Sequence, residues 1–282
     1  MTTLGAVCVP QVPPERLRDV ALAAEDAGLE ELWLWEDCFW GGAVPACAAA
    51  LAWTSRLRVG IGVLPVPLRN VAATAMDTAM LHRLFPGRVT VGVGHGVQSW
   101  MRQAGAAAES PMTLLREHLA ALRSLLGGET VTIDGRYVRL DEVALEWPPS
   151  GSPDVSPPPV LSAATGDRTL RLSGEAADGT VLVAARGPDL AGTGPDEVRR
   201  ARGLIDTGRA RGGRADKHRL VVYMGVARLD AAEAASAAAS ARALAEAGAD
   251  AVVLQPADDD SDLDPVELVR FTAERVRPLV PA

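Results

Sequence analysis

Short β-type runs alternate with helix-type stretches from one end of this 282-residue chain to the other. Runs of apolar and β-branched residues fall at 4–9, 31–36, 57–64, 88–93, 159–163, 179–184, 220–226 and 251–255, eight in all. Between them, segments 15–27, 71–84, 112–126, 169–176, 195–211, 231–247 and 265–276 place apolar residues at helical spacing. A strand followed by a crossover helix returns to lie parallel to its neighbour, and eight such units close a sheet on itself. The alternation therefore predicts an α/β fold, a (β/α)8 TIM barrel, with residues 1–282 as a single domain.

Local chemistry sets several of the boundaries. Gly28 and Gly248 each follow an alanine at the end of a helical segment, the position that favours left-handed backbone. Asp264-Pro265 reads as an N-cap followed by proline in the first turn. One stretch, 127–158, breaks the rhythm between strands four and five. There, β-type runs at 129–133 and 137–140 flank Asp134-Gly135, a hairpin signal, and a proline-rich tract follows. This insertion is either a cover for one side of a site or a solvated connector.

Composition removes several function classes. A net charge of −8 argues against binding a nucleic-acid backbone. Cys8, Cys38 and Cys47 show neither a disulfide framework nor zinc spacing, so no metal is expected. The N-terminus lacks the pattern of a signal peptide and no run is long enough to span a bilayer, so the expectation is a cytoplasmic protein that acts on a small molecule.

In such barrels the chemistry sits on the loops that follow the strands. After strand two come Asp37, able to accept a ligand hydrogen bond or cap the turn, Cys38, a packed thiol or a reactive one, and Trp40, a wall for a planar ring or a packing residue. Strand three ends on Gly62, Val63 and Leu64. Strand four ends on Gly94-His95-Gly96, where glycines admit close backbone approach and an imidazole can donate a proton or bind a cofactor. Strand five leads through Ala163, Ala164, Thr165, Gly166 and Asp167 into a helix, whose free N–H groups suit a phosphate.

The run Gly60-Ile61-Gly62-Val63-Leu64-Pro65-Val66-Pro67-Leu68-Arg69-Asn70 is followed by Leu84-Phe85-Pro86-Gly87-Arg88 and the glycine-rich strand. With Leu125-Leu126-Gly127-Gly128-Glu129-Thr130-Val131 and Gly174-Glu175-Ala176-Ala177-Asp178-Gly179, this order resembles the luciferase-like flavin and deazaflavin oxidoreductases over nearly the whole chain. The resemblance implies a (β/α)8 barrel that uses FMN or the deazaflavin F420, with a bulge and a non-prolyl cis peptide at Gly62-Val63. It also implies that Asp37 meets the ring, that His95 and its glycines line the ribityl and phosphate side, and that residues Ala163 to Asp167 hold phosphate. Arg69, Arg102, Arg168 and Arg186 could meet the acidic tail of F420. The family often has Asp-His where this chain has Asp37-Cys38, which leaves His95, Cys38 or solvent to supply a proton.

Three functions follow from the resemblance. The first is an F420-dependent oxidoreductase that passes hydride to or from a C=C, C=N or carbonyl group. The second is an FMN-dependent monooxygenase, which would need a flavin reductase partner. The third is a barrel that binds a flavin without catalysis. A homodimer is expected because dimers are common in the family.

Overall fold

Eight parallel strands close on themselves in the order expected of a barrel, and two further strands stand apart from it as a hairpin. The computed structural model describes residues 2–149, 157–182, 193–258 and 261–280. The barrel strands are β1 (Thr3–Cys8), β2 (Glu31–Leu34), β3 (Arg58–Pro65), β4 (Val89–Gly94), β7 (Val160–Ala164), β8 (Gly179–Leu182), β9 (Arg219–Val226) and β10 (Ala251–Pro256). The hairpin is β5 (Val131–Asp134) with β6 (Arg139–Val143), and β4 pairs directly with β7, so the insertion leaves the barrel ladder intact. The end of the β-type run at 183–184, Arg186 and part of the proline-rich tract lie outside the described residues.

Helices α1 (Leu17–Asp26), α3 (Val71–Leu84), α5 (Pro111–Leu126), α6 (Asp167–Ala176), α7 (Pro195–Arg211), α8 (Ala231–Glu246) and α9 (Pro265–Arg270) match the helical spacings. Two others have no such spacing to betray them. Helix α2 (Ala43–Trp53) contains no charged residue and so shows no polar face, while α4 (Gln98–Gln103) is under two turns long. The last segment also differs from a plain helix, because α9 runs into a π-helical turn at Phe271–Val276. The expected stops hold: Gly28 has φ of 71° and Gly248 φ of 115°. Asp264 caps α9 by accepting from the N–H groups of Val266 and Glu267.

Alternate residues of each strand face either the helices or the lumen. Leu4, Ala6, Leu32, Leu34, Val59 and Ile61 pack outward, whereas Val7, Trp33, Leu161, Val181, Val221, Tyr223 and Val253 fill the barrel. Trp33 is too large for an even layer, and the neighbouring strand gives way. A Cβ on Gly60 would lie 2.5 Å from the Trp33 ring. Below this layer, buried Glu31 accepts from Trp33 Nε1 at 3.0 Å and pairs with Arg58 and Arg219, closing the N-terminal end.

The described part of the insertion does not cover the opposite, C-terminal end. Glu117 of α5 accepts from the N–H groups of Arg136, Tyr137 and Val138, holding the hairpin turn to that helix. Arg83 of α3 stacks on Trp147, 5.0 Å from the ring centroid, and donates to the Pro148 carbonyl. These contacts place it on the α3 and α5 side of the barrel. Among the described residues no helix is long and apolar enough to cross a membrane. None of their His, Cys, Asp and Glu side chains form a group suited to a metal.

Candidate active site

Strand β3 leaves its register with β4 just where the site begins. Ile61 faces Val91 and Leu64 faces Val93, so Gly62 and Val63 together oppose Gly92 alone. The peptide between Gly62 and Val63 is cis, as is that between Cys38 and Phe39. Because of the extra residue, Gly62 and Val63 both reach the lumen and Leu64 turns outward. Leu64 is 1% exposed in the strand–helix core, which removes it from the expected cofactor contacts.

The same bulge explains the glycines of β4. A Cβ on Gly92 would come within 2.7 Å of Val63 Cγ1, and one on Gly94 within 2.9 Å of Val63 Cγ2 and 3.0 Å of Ala163 Cβ. Gly92 and Gly94 are thus small in order to receive Val63. The chain uses backbone space for its own side chain, where the sequence suggested space for a ligand.

Above the bulge opens a cavity of about 710 Å³ at the C-terminal ends of the strands. Of the expected residues, Asp37, Cys38, Gly62, Val63, Gly94, His95, Gly96, Ala163, Ala164, Thr165 and Gly166 line it. Two more do not. Trp40 is 62% exposed and outside the lining, since β2 ends at Leu34 and the loop carries Trp40 past the rim. Asp167 is drawn away by Arg200, which binds its carboxylate and donates to the Thr165 carbonyl at 3.1 Å.

Three of the four arginines proposed for an acidic tail also fall elsewhere. Arg69 is held by Glu36, with Nε 2.9 Å from Oε1 and Nη2 2.6 Å from Oε2, and Glu36 Oε2 further accepts from the Ala43 N–H to anchor α2. Arg102 and Arg168 are exposed and outside the lining.

His95 stands between β4 and α6, its Nε2 3.4 Å from Thr169 Oγ1. Burial, partly offset by the Pro111 carbonyl, holds its pKa below the ordinary value, so the ring is neutral near pH 7. Cys38 is pushed the other way, by burial first and then by Asp37 and Glu36, and remains a thiol. The first turn of α6 begins at Gly166 with no side-chain cap, leaving its N–H groups directed at the cavity end of β7.

Several lining residues have no motif of their own. Tyr223 of β9 crosses the lumen and donates from Oη to the Gly62 carbonyl at 3.1 Å, with its ring 5.6 Å from that of Trp35. Burial raises its pKa well above the usual phenol range, so it stays a donor. A Cβ on Gly62 would sit 2.0 Å from this oxygen. In the sequence Tyr223 is one more alternating strand residue. Gln11 and Gln255, by contrast, directly follow or end strands one and eight of the barrel, and the rule applied to strands two to five would have found them.

The match to the luciferase-like monooxygenase family model runs over residues 2–274. The chain belongs to this family. Among luciferase-like relatives, it is 30% identical over 256 residues to the 5,10-methylenetetrahydromethanopterin reductase of Methanolobus tindarius, covering 90% of this chain and 74% of that protein. It is 32% identical over 195 residues to the F420-dependent glucose-6-phosphate dehydrogenase of Kineococcus radiotolerans, covering 64% of this chain and 56% of that protein. Thus it spans little more than half the length of the second relative. The luciferase-like barrel itself superposes on the coenzyme F420-dependent tetrahydromethanopterin reductase of Methanopyrus kandleri with a TM-score of 0.80, at 18% identity and 99% coverage of both chains.

Proposed function

We propose that this chain is an F420-dependent oxidoreductase that moves a hydride between the deazaflavin and a small organic substrate bearing a C=C, C=N or carbonyl group. The observation that carries this reading is the floor of the cavity. Val63, seated on Gly92 and Gly94, offers a flat apolar support, and Tyr223 fixes the Gly62 carbonyl beside it. A tricyclic ring fits a support of that kind, within a cavity in the size range of small-molecule sites. The F420 dependence of the relatives favours deazaflavin over FMN.

In this reading Thr165, Gly166 and the open N–H groups of α6 hold the phosphate. His95 and the Gly94–Gly96 turn line the chain between ring and phosphate, and Asp37 meets the polar edge of the ring. When bound, F420 supplies a carbon-centred hydride donor or acceptor that reacts poorly with oxygen. The protein orients the ring, excludes water with the apolar walls at Val97, Trp100 and Met101, and keeps His95 and Cys38 neutral at pH 7. A neutral imidazole can accept the proton of a substrate hydroxyl or amine as its hydride leaves, and a thiol can give one to a substrate heteroatom in the reverse direction.

Titration of the purified protein with F420 and with FMN, read by ring fluorescence, tests the assignment. Saturable F420 binding tighter than that of FMN is expected. Binding of FMN with none of F420 overturns it.

The cytoplasm is the expected compartment, and a homodimer the expected assembly. Met76, Met80 and Leu84 of α3 are 63%, 56% and 62% exposed and recur every four residues along one face. A two-fold axis at Met80 would bring Asp77 of one copy to Arg83 of the other. Sedimentation of wild type and Met80→Glu separates dimer from monomer.

A further inference from the structure

We infer that the cavity is divided by charge, and that its substrate half takes neutral or cationic molecules and rejects phosphorylated or carboxylated ones. This rests on the cofactor placement proposed above, which leaves the side formed by β1, β2 and β10 to the substrate. The described lining contributed by β3, β4, α4, β7 and α6 contains no carboxylate and no cation; its polar side chains are His95, Thr165 and Thr169. All the lining carboxylates lie on the other side: Asp37 where that side meets the ring, and Glu36, Asp258, Asp262 and Asp264 beyond it. Three of these, Asp258, Asp262 and Asp264, follow β10 within seven residues of one another.

Arg16 is the one cation in the described lining, and it is already paired with Asp264 at 2.9 Å. Glu36 is neutralised from outside the lining by Arg69. Asp258 and Asp262 make no hydrogen bond or ion pair among the described residues.

Carboxylates gathered at one end of a low-dielectric cleft lower the local concentration of anions and raise that of cations. The same field drives a cofactor phosphate toward the carboxylate-free end at α6, so orientation and selectivity share one cause. The apolar walls on this half, Val9, Val12, Trp35 and Leu263, suit the uncharged body of a substrate. Sugar phosphates such as glucose 6-phosphate would be poor substrates for this chain, despite its similarity to a dehydrogenase of that name.

Quenching of the bound ring's fluorescence by iodide, an anion, and by acrylamide, a neutral molecule, tests this in the F420-loaded protein at low ionic strength. The comparison is with Asp258→Asn/Asp262→Asn, whose exposed side chains can change without disturbing the fold. Removing two charges near the mouth is expected to raise iodide quenching about two- to four-fold and leave acrylamide quenching unchanged. Equal iodide quenching in wild type and variant overturns the inference. If FMN binds and F420 does not, the cofactor reading fails, and the same iodide comparison on bound FMN still decides the question of charge.

Discussion

Two glycines on one helix should respond to alanine with opposite signs. On α7, a Cβ placed on Gly203 would meet no atom within 4 Å, whereas one on Gly208 would lie 2.0 Å from the Arg171 carbonyl oxygen and 2.8 Å from its carbon. Both substitutions gain helix propensity, worth about 0.5–1 kcal/mol. At Gly203 nothing opposes the gain, so Gly203→Ala should raise the melting temperature by about 1–3 °C. At Gly208 the methyl must retreat by about 1.4 Å to reach the 3.4 Å of an ordinary contact. The atom in its way is backbone of α6, and Gly174 is equally tight against the Ile205 carbonyl at 2.0 Å, so neither helix can yield alone. Overpacking of this kind costs about 1–3 kcal/mol, which exceeds the propensity gain. Gly208→Ala should therefore lose about 1–2 kcal/mol and melt about 2–6 °C lower. Because Arg200 of α7 donates to the Thr165 carbonyl, separating the helices should also weaken cofactor binding at the β7 turn. Thermal denaturation followed by circular dichroism, with F420 titration of each variant, checks both effects. Equal stabilisation by the two alanines would refute the reasoning.

Tyr223→Phe leaves the Gly62 carbonyl without its donor and should cost about 1–2 kcal/mol in chemical denaturation. Since Gly62→Ala clashes with that same hydroxyl, the double variant should lose less than the sum of the two single losses, and strict additivity would contradict the contact. His95→Ala should weaken F420 by about five- to ten-fold, the loss of one hydrogen bond, in a fluorescence titration. Buried His118 and His218 each titrate at about 4 when folded, against an ordinary value of 6.5, because burial disfavours the charged ring. The unfolded chain therefore binds more protons in that window, so their contribution is complete above about pH 6.5 and falls as pH drops toward 4. Each should withdraw about 2 kcal/mol by pH 5, and a melting temperature constant from pH 7 to 5 would contradict this.

The barrel was legible in the chain because each strand and helix carries its own period, and because stops such as Gly28, Gly248 and Asp264-Pro265 act locally. Much of the candidate site's lining was legible for a related reason: residues just past a parallel strand all reach the same end of the barrel, which brings Asp37, Gly62, Gly94, His95 and Thr165 to one cavity. What failed depended on neighbours distant in sequence. Helix α2 has no polar face to reveal it, Asp167 is claimed by Arg200 from the next helix, and Leu64 is turned outward by the one-residue bulge before it. The role of the β4 glycines appears only when Val63 is seated on them, and that of Tyr223 only when its hydroxyl reaches Gly62 across 161 residues. The sequence by itself determined the order of the elements and the end at which chemistry gathers. The tertiary structure decided which side chains share that space, because contact across a barrel depends on size and register that no single segment contains.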